Sequence, residues 1–195
     1  MRKYIQITLI PEEPSGITAP VLMGYVMEKL HQLFVQIKDH SGKIPIGISF
    51  PEYDASNKSL GTLVRIHGDE EKLKYIDARK AMQSLQDYVH VSAFRGVPES
   101  RLKGHVAYAR IRHDHGKDKL IRRSMRRHNL SFEAAEKAYS SYQQRHFPEY
   151  PFVLMSSKST GHEKYPLYFK RIFLNNLGTS FNTFGINPES GVEHF

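Results

Sequence analysis

The chain has 195 residues, 39% of them hydrophobic, which is enough to bury a sizeable core in one domain or two small ones. It contains no Cys, which excludes disulfides, thiolate metal sites and cysteine nucleophiles. No apolar run reaches the roughly eighteen residues of a membrane span, and the N-terminus lacks a secretory signal. We therefore expect a soluble, cytoplasmic protein with no membrane partner.

The positive charge of the chain is concentrated in one segment. Lys and Arg number 28 and Asp and Glu number 20, which gives a formal net charge of +8. Residues 101–128 hold ten of the basic residues and two of the acidic ones, so this segment carries the whole excess. Such clustering is typical of a polyanion-binding surface, although a solvated basic face has the same composition.

The first half of the chain alternates between strand and helix patterns. Six elements are predicted: strands at 3–10, 44–50, 60–68 and 86–94, and helices from Thr18 to about Ile37 and from Glu70 to about Ala81. Apolar residues of the first helix have the spacing of a buried face: Leu22, Val26, Leu30, Leu33 and Ile37. The order β-α-β-β-α-β predicts a ferredoxin-like domain, assigned to residues 1–96.

The composition changes after the Gly-Val-Pro at 96–98, and we place a domain boundary near 95–100. Residues 97–195 are predicted to form an α/β domain, so the fold class is α+β. Its predicted elements are a strand at 105–112, a basic helix, a helix after Ser131, and strands at 151–156, 165–174 and 179–186.

The basic helix is predicted to start at Asp118 and stop at Asn129. At 100° per residue, five cations fall within an arc of about 140°: Lys119, Arg122, Arg123, Arg126 and Arg127. The opposite side holds Leu120, Ile121, Ser124, Met125 and His128. One face can therefore pack on the protein while the other presents a single cationic stripe.

The stripe lacks the acidic neighbours that would normally pair with it. Glu at i+4 spacing is absent, and only Asp118 is available. Five cations on about 15 Å of helix suit the phosphates of a nucleic-acid groove better than one small anion. A membrane-binding helix would need more exposed bulky apolar residues, and RNA and DNA are not distinguished by this feature alone.

Two further motifs could carry chemistry. His31 lies on the first helix at the edge of its apolar face, where an imidazole could take a proton from a ribose 2′-hydroxyl. A surface or hydrogen-bonded boundary histidine is the alternative. The hydroxyl-rich MSSKSTGH at 155–162 follows a hydrophobic strand and could position phosphate or ribose oxygens, although ordinary polar turns share this composition.

A metal site is not predicted. The segment HDHGKD at 113–118 has two closely spaced His, but the neighbouring Arg and Lys would repel a cation. No phosphate-binding loop, zinc-protease motif or paired-cysteine pattern is present, so we expect no metal and no cofactor.

Taken together, these motifs resemble the type I-F CRISPR repeat-processing endoribonucleases, the Csy-type branch of the CRISPR-associated ribonuclease superfamily. The resemblance spans most of the chain, and it rests on the order and spacing of its pieces. They are KLHQ at 29–32, GISFP at 47–51, RRSMRRHNLS at 122–131, PFV at 151–153, SKSTG at 157–161 and FxxFGI at 181–186.

The resemblance implies metal-independent cleavage of CRISPR repeat RNA at the base of its stem-loop, leaving a 2′,3′-cyclic phosphate. It implies that His31 is the general base and that Ser157 holds the attacking ribose. It assigns RNA binding to Ser159, Thr160, Tyr165, Arg110, Arg112, Lys119, Arg122, Arg123, Arg126, Arg127 and His128. The product would stay bound, in company with other subunits of a type I-F crRNA surveillance complex.

Three positions depart from the family pattern. Arg112 replaces a glutamine that reads an adenine, which leaves the base preference beside the guanine-reading Arg110 open. Tyr165 replaces a phenylalanine that stacks on the terminal base pair. Phe184 replaces a tyrosine whose hydroxyl approaches the catalytic histidine, so we expect another group to set the tautomer of His31.

Two other functions remain compatible with the sequence. A module that binds the RNA hairpin without cutting it would explain the loss of the tyrosine hydroxyl at Phe184. A basic DNA-binding protein unrelated to CRISPR would explain the charge alone.

Overall fold

The computed structural model describes residues 2–12, 16–111, 116–142, 150–156 and 165–195. These ranges contain nine strands, five α-helices and two short 3₁₀ helices. The strands are β1 (Arg2–Leu9), β2 (Gly47–Ser49), β3 (Leu63–Asp69), β4 (Val89–Val91), β5 (Arg95–Gly96), β6 (Gly104–Ile111), β7 (Phe152–Met155), β8 (Tyr165–Leu174) and β9 (Val192–His194). The α-helices are α1 (Ala19–Gln36), α2 (Glu70–Leu73), α3 (Ala78–Ala81), α4 (Lys117–His128) and α5 (Phe132–Ala138), and the 3₁₀ helices are Gln83–Leu85 and Glu99–Arg101.

The strands form two antiparallel sheets. The first has the order β2-β3-β1-β4, with β5 also paired to β1. The second has the order β7-β8-β6-β9. Met1–Ile111 and Glu149–Phe195 form one compact unit that contains both sheets, and Arg112–Pro148 form another. The division into domains 1–96 and 97–195 stays a prediction.

Helix α1 packs on both sheets of its unit through its apolar face. Leu22, Val26 and Leu30 are fully buried, as their spacing predicts. Phe34 completes this face, whereas the predicted core residues Leu33 and Ile37 are only partly buried. The helix also approaches β7 closely at Gly24, where a Cβ atom would lie 2.6 Å from the carbonyl oxygen of Leu154. A side chain there would force the helix away from β7.

Two predicted elements differ in the structure because local side chains interrupt them. The predicted helix from Glu70 to Ala81 is divided into α2 and α3, and the Asp77 carboxylate caps α3 by accepting from the Lys80 amide at 2.9 Å. The predicted strand at 179–186 is instead a turn with a single bridge to Ile44. Strand β9 lies later in the chain than any predicted strand.

The smaller unit contains both predicted helices, although α4 begins at Lys117, one residue before the predicted Asp118, and has no side-chain N-cap. Asn129 ends α4 in the left-handed conformation, with φ of 48°. Ser131 begins α5, and its hydroxyl accepts from the Ala134 amide at 3.3 Å. Helices α4 and α5 pack against each other.

A buried polar chain links the two sheets. The Ser49 hydroxyl lies 2.8 Å from His67 Nε2, and His67 Nδ1 lies 3.0 Å from a Glu193 carboxylate oxygen. Arg2 donates to the other Glu193 oxygen at 2.7 Å. Burial lowers the pKa of His67, so a neutral ring donates to Glu193 from Nδ1 and accepts from Ser49 at Nε2. Ser49, His67 and Glu193 are all buried. This hydrogen-bonded network therefore stabilises the fold and is not accessible to a substrate.

This buried chain predicts loss of stability in acid. Burial would raise the pKa of Glu193, but hydrogen bonds from His67 and Arg2 lower it to about 2. Against its ordinary value of 4.5, this contributes about 3 kcal/mol at neutral pH. The lowered pKa of His67 acts in the same direction, because acid protonates the unfolded imidazole first. Stability should therefore fall as the pH drops below about 6.5, and more steeply below about 4.5.

Urea unfolding between neutral pH and pH ~3 would measure this dependence. Glu193→Gln should lose about 3 kcal/mol at neutral pH, because Arg2 loses its charged partner. The variant should also lack the steep decline below pH ~4.5. A variant whose pH profile stays parallel to that of the wild type would contradict this role for Glu193.

Candidate active site and nucleic-acid interface

His31 projects from α1 against the turn that contains Thr183 and Phe184. Its Nδ1 lies 2.8 Å from the carbonyl oxygen of Thr183. Its ring stacks on Phe184, with centroids 4.1 Å apart and planes 5° from parallel. A carbonyl oxygen can only accept a hydrogen bond, so a neutral His31 carries its proton on Nδ1 and keeps the Nε2 lone pair. The Thr183 carbonyl therefore sets the tautomer of a neutral His31.

The Thr183 carbonyl is held in place by a tight turn. The side-chain oxygen of Asn182 accepts a hydrogen bond from the Phe184 amide at 2.8 Å. The backbone carbonyl of Asn182 accepts one from the Gly185 amide, also at 2.8 Å. Gly185 has φ of +73°, and a Cβ atom there would lie 2.8 Å from Ile48 Cγ2. The Gly185 carbonyl also accepts from the Ile48 amide at 2.8 Å. The turn is thus fixed on strand β2.

Arg110 lies beside the same aromatic ring. It is exposed near the end of β6, where it pairs with Phe169 of β8. Its guanidinium carbon lies 5.7 Å from the centroid of Phe184 and 5.9 Å from that of Tyr165. These distances are within the range of cation–π attraction. A histidine, an arginine and two aromatic rings, distant in the sequence, therefore form one cluster.

Glu28 is a site residue that the sequence did not indicate. It lies one turn before His31 on α1, and its carboxylate accepts a hydrogen bond from the amide of Ser156. This bond ties the end of β7 to the helix that carries His31. No motif signals it, because the two residues are 128 positions apart.

Several predicted site residues lie outside the described part of the chain. They are Arg112, Ser157, Ser159 and Thr160. The first three residues of the HDHGKD segment also lie outside it. Within the described ranges, no group of three or more His, Asp or Glu side chains could hold a metal ion. No helix in these ranges is long and apolar enough to cross a membrane.

Helix α4 presents the predicted cationic stripe. Its five cations are exposed, namely Lys119, Arg122, Arg123, Arg126 and Arg127. Ile121 and Ser124 are buried and Leu120 and Met125 partly buried, as the helical wheel predicts. His128, expected on the packed side, is exposed at the last turn instead. Among the described residues, no carboxylate forms an ion pair with this stripe.

Comparison with known proteins decides the family. A family model described as CRISPR-associated protein (Cas_Csy4) matches residues 4–195. The chain belongs to this Csy4 family. A protein named CRISPR-associated endonuclease Cas6/Csy4 from Pseudomonas aeruginosa (strain UCBPP-PA14) is 35% identical over 163 residues, covering 83% of this chain and 81% of the relative. A relative of the same name from Escherichia coli (strain UTI89 / UPEC) is 26% identical over 198 residues, covering 100% of both chains.

Membership in the Csy4 family confirms the resemblance drawn from the sequence motifs. The match includes the segments that carry His31, Arg110, Tyr165 and the α4 stripe. The individual roles of these residues in this chain stay predictions. The cluster around His31 and the exposed stripe supply the geometry from which those roles can be argued.

Proposed function

We propose that the protein is a metal-independent endoribonuclease that cleaves CRISPR repeat RNA at the base of its stem-loop. The observation that carries the proposal is the hydrogen bond from His31 Nδ1 to the Thr183 carbonyl. It leaves Nε2 as a lone-pair acceptor in a partly exposed position. RNA carries its own nucleophile, the 2′-hydroxyl, so alignment and one base suffice.

In the proposed reaction, His31 Nε2 takes the proton of the 2′-hydroxyl as O2′ attacks the adjacent phosphorus. The bond from phosphorus to O5′ breaks, and the leaving oxygen takes up a proton. The upstream fragment ends in a 2′,3′-cyclic phosphate and the downstream fragment in a 5′-hydroxyl. Ser157 is proposed to hold the attacking ribose, and Ser159 and Thr160 to bind the neighbouring phosphate.

Arg110 and Tyr165 are proposed to select the stem base. A guanidinium fork can donate two parallel hydrogen bonds to the O6 and N7 atoms of guanine. The Tyr165 ring can stack on the terminal base pair. The contacts of Arg110 with Tyr165 and Phe184 support these roles, because they place the fork and the rings within one cluster that includes His31. Arg112 is proposed to contact the next base pair.

Helix α4 is proposed to bind the duplex part of the hairpin. The major groove of A-form RNA is deep and narrow, so affinity should come mainly from phosphates and stem shape. The exposed stripe of Lys119, Arg122, Arg123, Arg126 and Arg127 suits this role. His128 is exposed at the last turn of α4, on the side opposite the stripe, and is proposed to contact the RNA there.

The same proposal extends to the fold of the N-terminal half, the location of the protein and the fate of its product. The first sheet has the strand order of a ferredoxin-like domain, which supports that arrangement for the N-terminal half. We further propose that the protein acts in the cytoplasm and retains its product hairpin. There it would join the other subunits of a type I-F crRNA surveillance complex.

The experiment is incubation with the repeat hairpin in EDTA, followed by mass analysis of the upstream product. We expect complete cleavage and a 2′,3′-cyclic phosphate. Loss of cleavage in EDTA, restored by a divalent metal, would overturn metal independence.

A non-cleaving hairpin-binding module is the second candidate, favoured by the stacking of Phe184 on His31. That ring covers one face of the imidazole and offers no hydroxyl. A module would bind the hairpin and leave it intact under every condition, which the same experiment detects.

Glu28 is expected to act as a positioning residue for the chemistry. Glu28→Ala should slow single-turnover cleavage about tenfold, because the end of β7 next to Ser157 loses its tie to α1. Hairpin affinity should be unchanged. Glu28→Gln should restore most of the rate, since the amide oxygen can accept the same hydrogen bond. A Gln variant as slow as the Ala variant would refute this hydrogen-bonding role.

A further inference from the structure

A second cationic surface lies on the unit that carries His31, away from the cluster described above. It consists of Arg65, Arg101, Lys103, Arg171, Phe173 and His194, and is called the Arg101 surface below. In the pairing of β6 with β8, Phe173 lies opposite Val106 while Phe169 lies opposite Arg110. Four residues of strand separate these pairs, so the two sites are about 14 Å apart along β6.

A groove forms the centre of the Arg101 surface. It has a volume of about 440 Å³ and is lined by Arg65, Ser100, Arg101, Leu102, Lys103 and Phe195. Arg101 and Lys103 are exposed, so their charges face solvent. The Lys103 amide donates to the His194 carbonyl at 2.7 Å, which joins the groove to strand β9.

The charges of this surface are close enough to act on one another. Burial lowers the pKa of Arg65, and the neighbouring Arg101 and Arg95 lower it further. Burial also lowers the pKa of His194, as do Arg171, Lys103 and Arg65. The Arg65 guanidinium donates to the Phe195 backbone oxygen at 2.8 Å and to the Gln6 side chain at 3.1 Å. Among the described residues, no Asp or Glu carboxylate forms an ion pair with Arg101, Lys103 or Arg171. Glu52 counteracts the lowering of the Arg65 pKa. Hydrogen bonds lower the pKa of Asp54 and Arg171 lowers it further, so Arg65 and Arg171 both have acidic neighbours. The positive charge that is left for an external anion is therefore that of Arg101 and Lys103.

Aromatic rings are interleaved with these cations. Phe173 is 65% exposed, with the Arg171 guanidinium 5.1 Å from its centroid and the His194 ring 5.9 Å away. The Arg65 guanidinium lies 4.0 Å from the Phe195 centroid. A Phe side chain that stays 65% exposed gains little from apolar burial. Its flat ring, next to groups that can bind phosphate, can instead stack on a base. An acidic peptide would use the charges but would leave Phe173 exposed.

We propose that the Arg101 surface binds single-stranded RNA that flanks the hairpin. Arg101 and Lys103 hold its phosphates, and Phe173 stacks on one of its bases. This inference rests on the proposed function, because it takes the hairpin as the RNA that the protein holds. It adds a second contact site that would guide the unpaired strand away from the cleavage cluster.

The test compares two RNAs, each with a 2′-deoxy scissile nucleotide so that neither is cut. One is the minimal hairpin, and the other carries about ten unpaired uridines on each side. The wild type should bind the extended RNA about tenfold more tightly at fixed, moderate salt. The triple variant Arg101→Ala, Lys103→Ala, Phe173→Ala should lose this gain and keep its affinity for the minimal hairpin.

A matched control removes two exposed cations and one exposed aromatic ring elsewhere on the same unit. It carries Lys72→Ala, Tyr75→Ala and Lys80→Ala, and should retain the full gain. The salt dependence gives a second readout that a purely structural role would not change. Loss of two phosphate contacts should reduce the slope of log affinity against log salt by about 1.4 for the extended RNA.

The outcomes separate this inference from the proposed function. Equal wild-type affinity for both RNAs, with the hairpin still bound, overturns the Arg101 surface and leaves the proposed function intact. If the hairpin is not bound, the proposed function fails. The Arg101 surface is then tested with oligouridine: tighter binding by the wild type than by the triple variant supports the surface, and equal binding overturns it. Binding of polyglutamate but not oligouridine would assign the surface to an acidic protein partner and overturn the inference.

Discussion

Replacement of His31 by alanine is expected to slow single-turnover cleavage of the repeat hairpin about 1,000-fold, within the usual range for loss of a general base. The Nε2 lone pair is the only proton acceptor that the proposed mechanism uses. Hairpin affinity should change less than about twofold, because the duplex is held by other groups. Rapid-quench cleavage and fluorescence anisotropy measure the two quantities separately.

His40→Ala is the matched control, because His40 is an exposed histidine in the turn that follows α1. It should cleave at the wild-type rate. If His31→Ala also cleaved at that rate, His31 would not be the base, and another group near the scissile phosphate would have to be sought. If His31→Ala lost binding and cleavage together, the residue would serve RNA recognition instead.

The double variant Arg122→Ala, Arg126→Ala is expected to weaken hairpin binding about 100-fold. The two residues lie one turn apart on the exposed face of α4, and each charged hydrogen bond to phosphate contributes about 1.5 kcal/mol or more. The slope of log affinity against log salt should fall by about 2. Titrations at several salt concentrations measure both effects.

The control for this variant removes the same charge elsewhere. Lys80→Ala, Lys137→Ala takes away two exposed cations that lie outside the stripe, and should change affinity less than about threefold. Circular dichroism would check that α4 remains helical in the Arg variant. An unchanged salt slope in a folded Arg variant would show that the stripe does not contact phosphates.

Features set by neighbouring residues could be predicted from the sequence. The end of α4 at the left-handed Asn129 and its exposed cations follow from local capping and charge spacing, whereas the helix begins at Lys117, one residue before the predicted Asp118. The buried face of α1 was predicted as far as Leu30, and it then continues through Phe34 where the sequence suggested Leu33 and Ile37. Leu33 and Ile37 do pack against the core, but they are only partly buried. How deeply they are buried depends on tertiary packing at the end of the helix, which periodicity does not encode.

Features that depend on distant residues could not be predicted in the same way. The bond from His31 to Thr183 spans 152 positions, and a backbone carbonyl leaves no trace in residue type. The sequence indicated that some group other than Phe184 must set the tautomer, without identifying it. The pairing of Glu28 with Ser156 and the buried chain from Ser49 to Glu193 are hidden for the same reason. Asn182 and Gly185 are residue types that favour turns, although the aromatic segment 179–186 was predicted as a strand.

The most direct measurement of the central claim uses a repeat hairpin with a single 2′-deoxy substitution at the scissile nucleotide. The mechanism requires that 2′-hydroxyl as its nucleophile, so the substituted RNA should bind normally and remain uncut in EDTA or in magnesium. The same substitution one nucleotide further along should leave cleavage unchanged. Cleavage of the substituted RNA at the original position would contradict the account, because the nucleophile would then be water or a protein group.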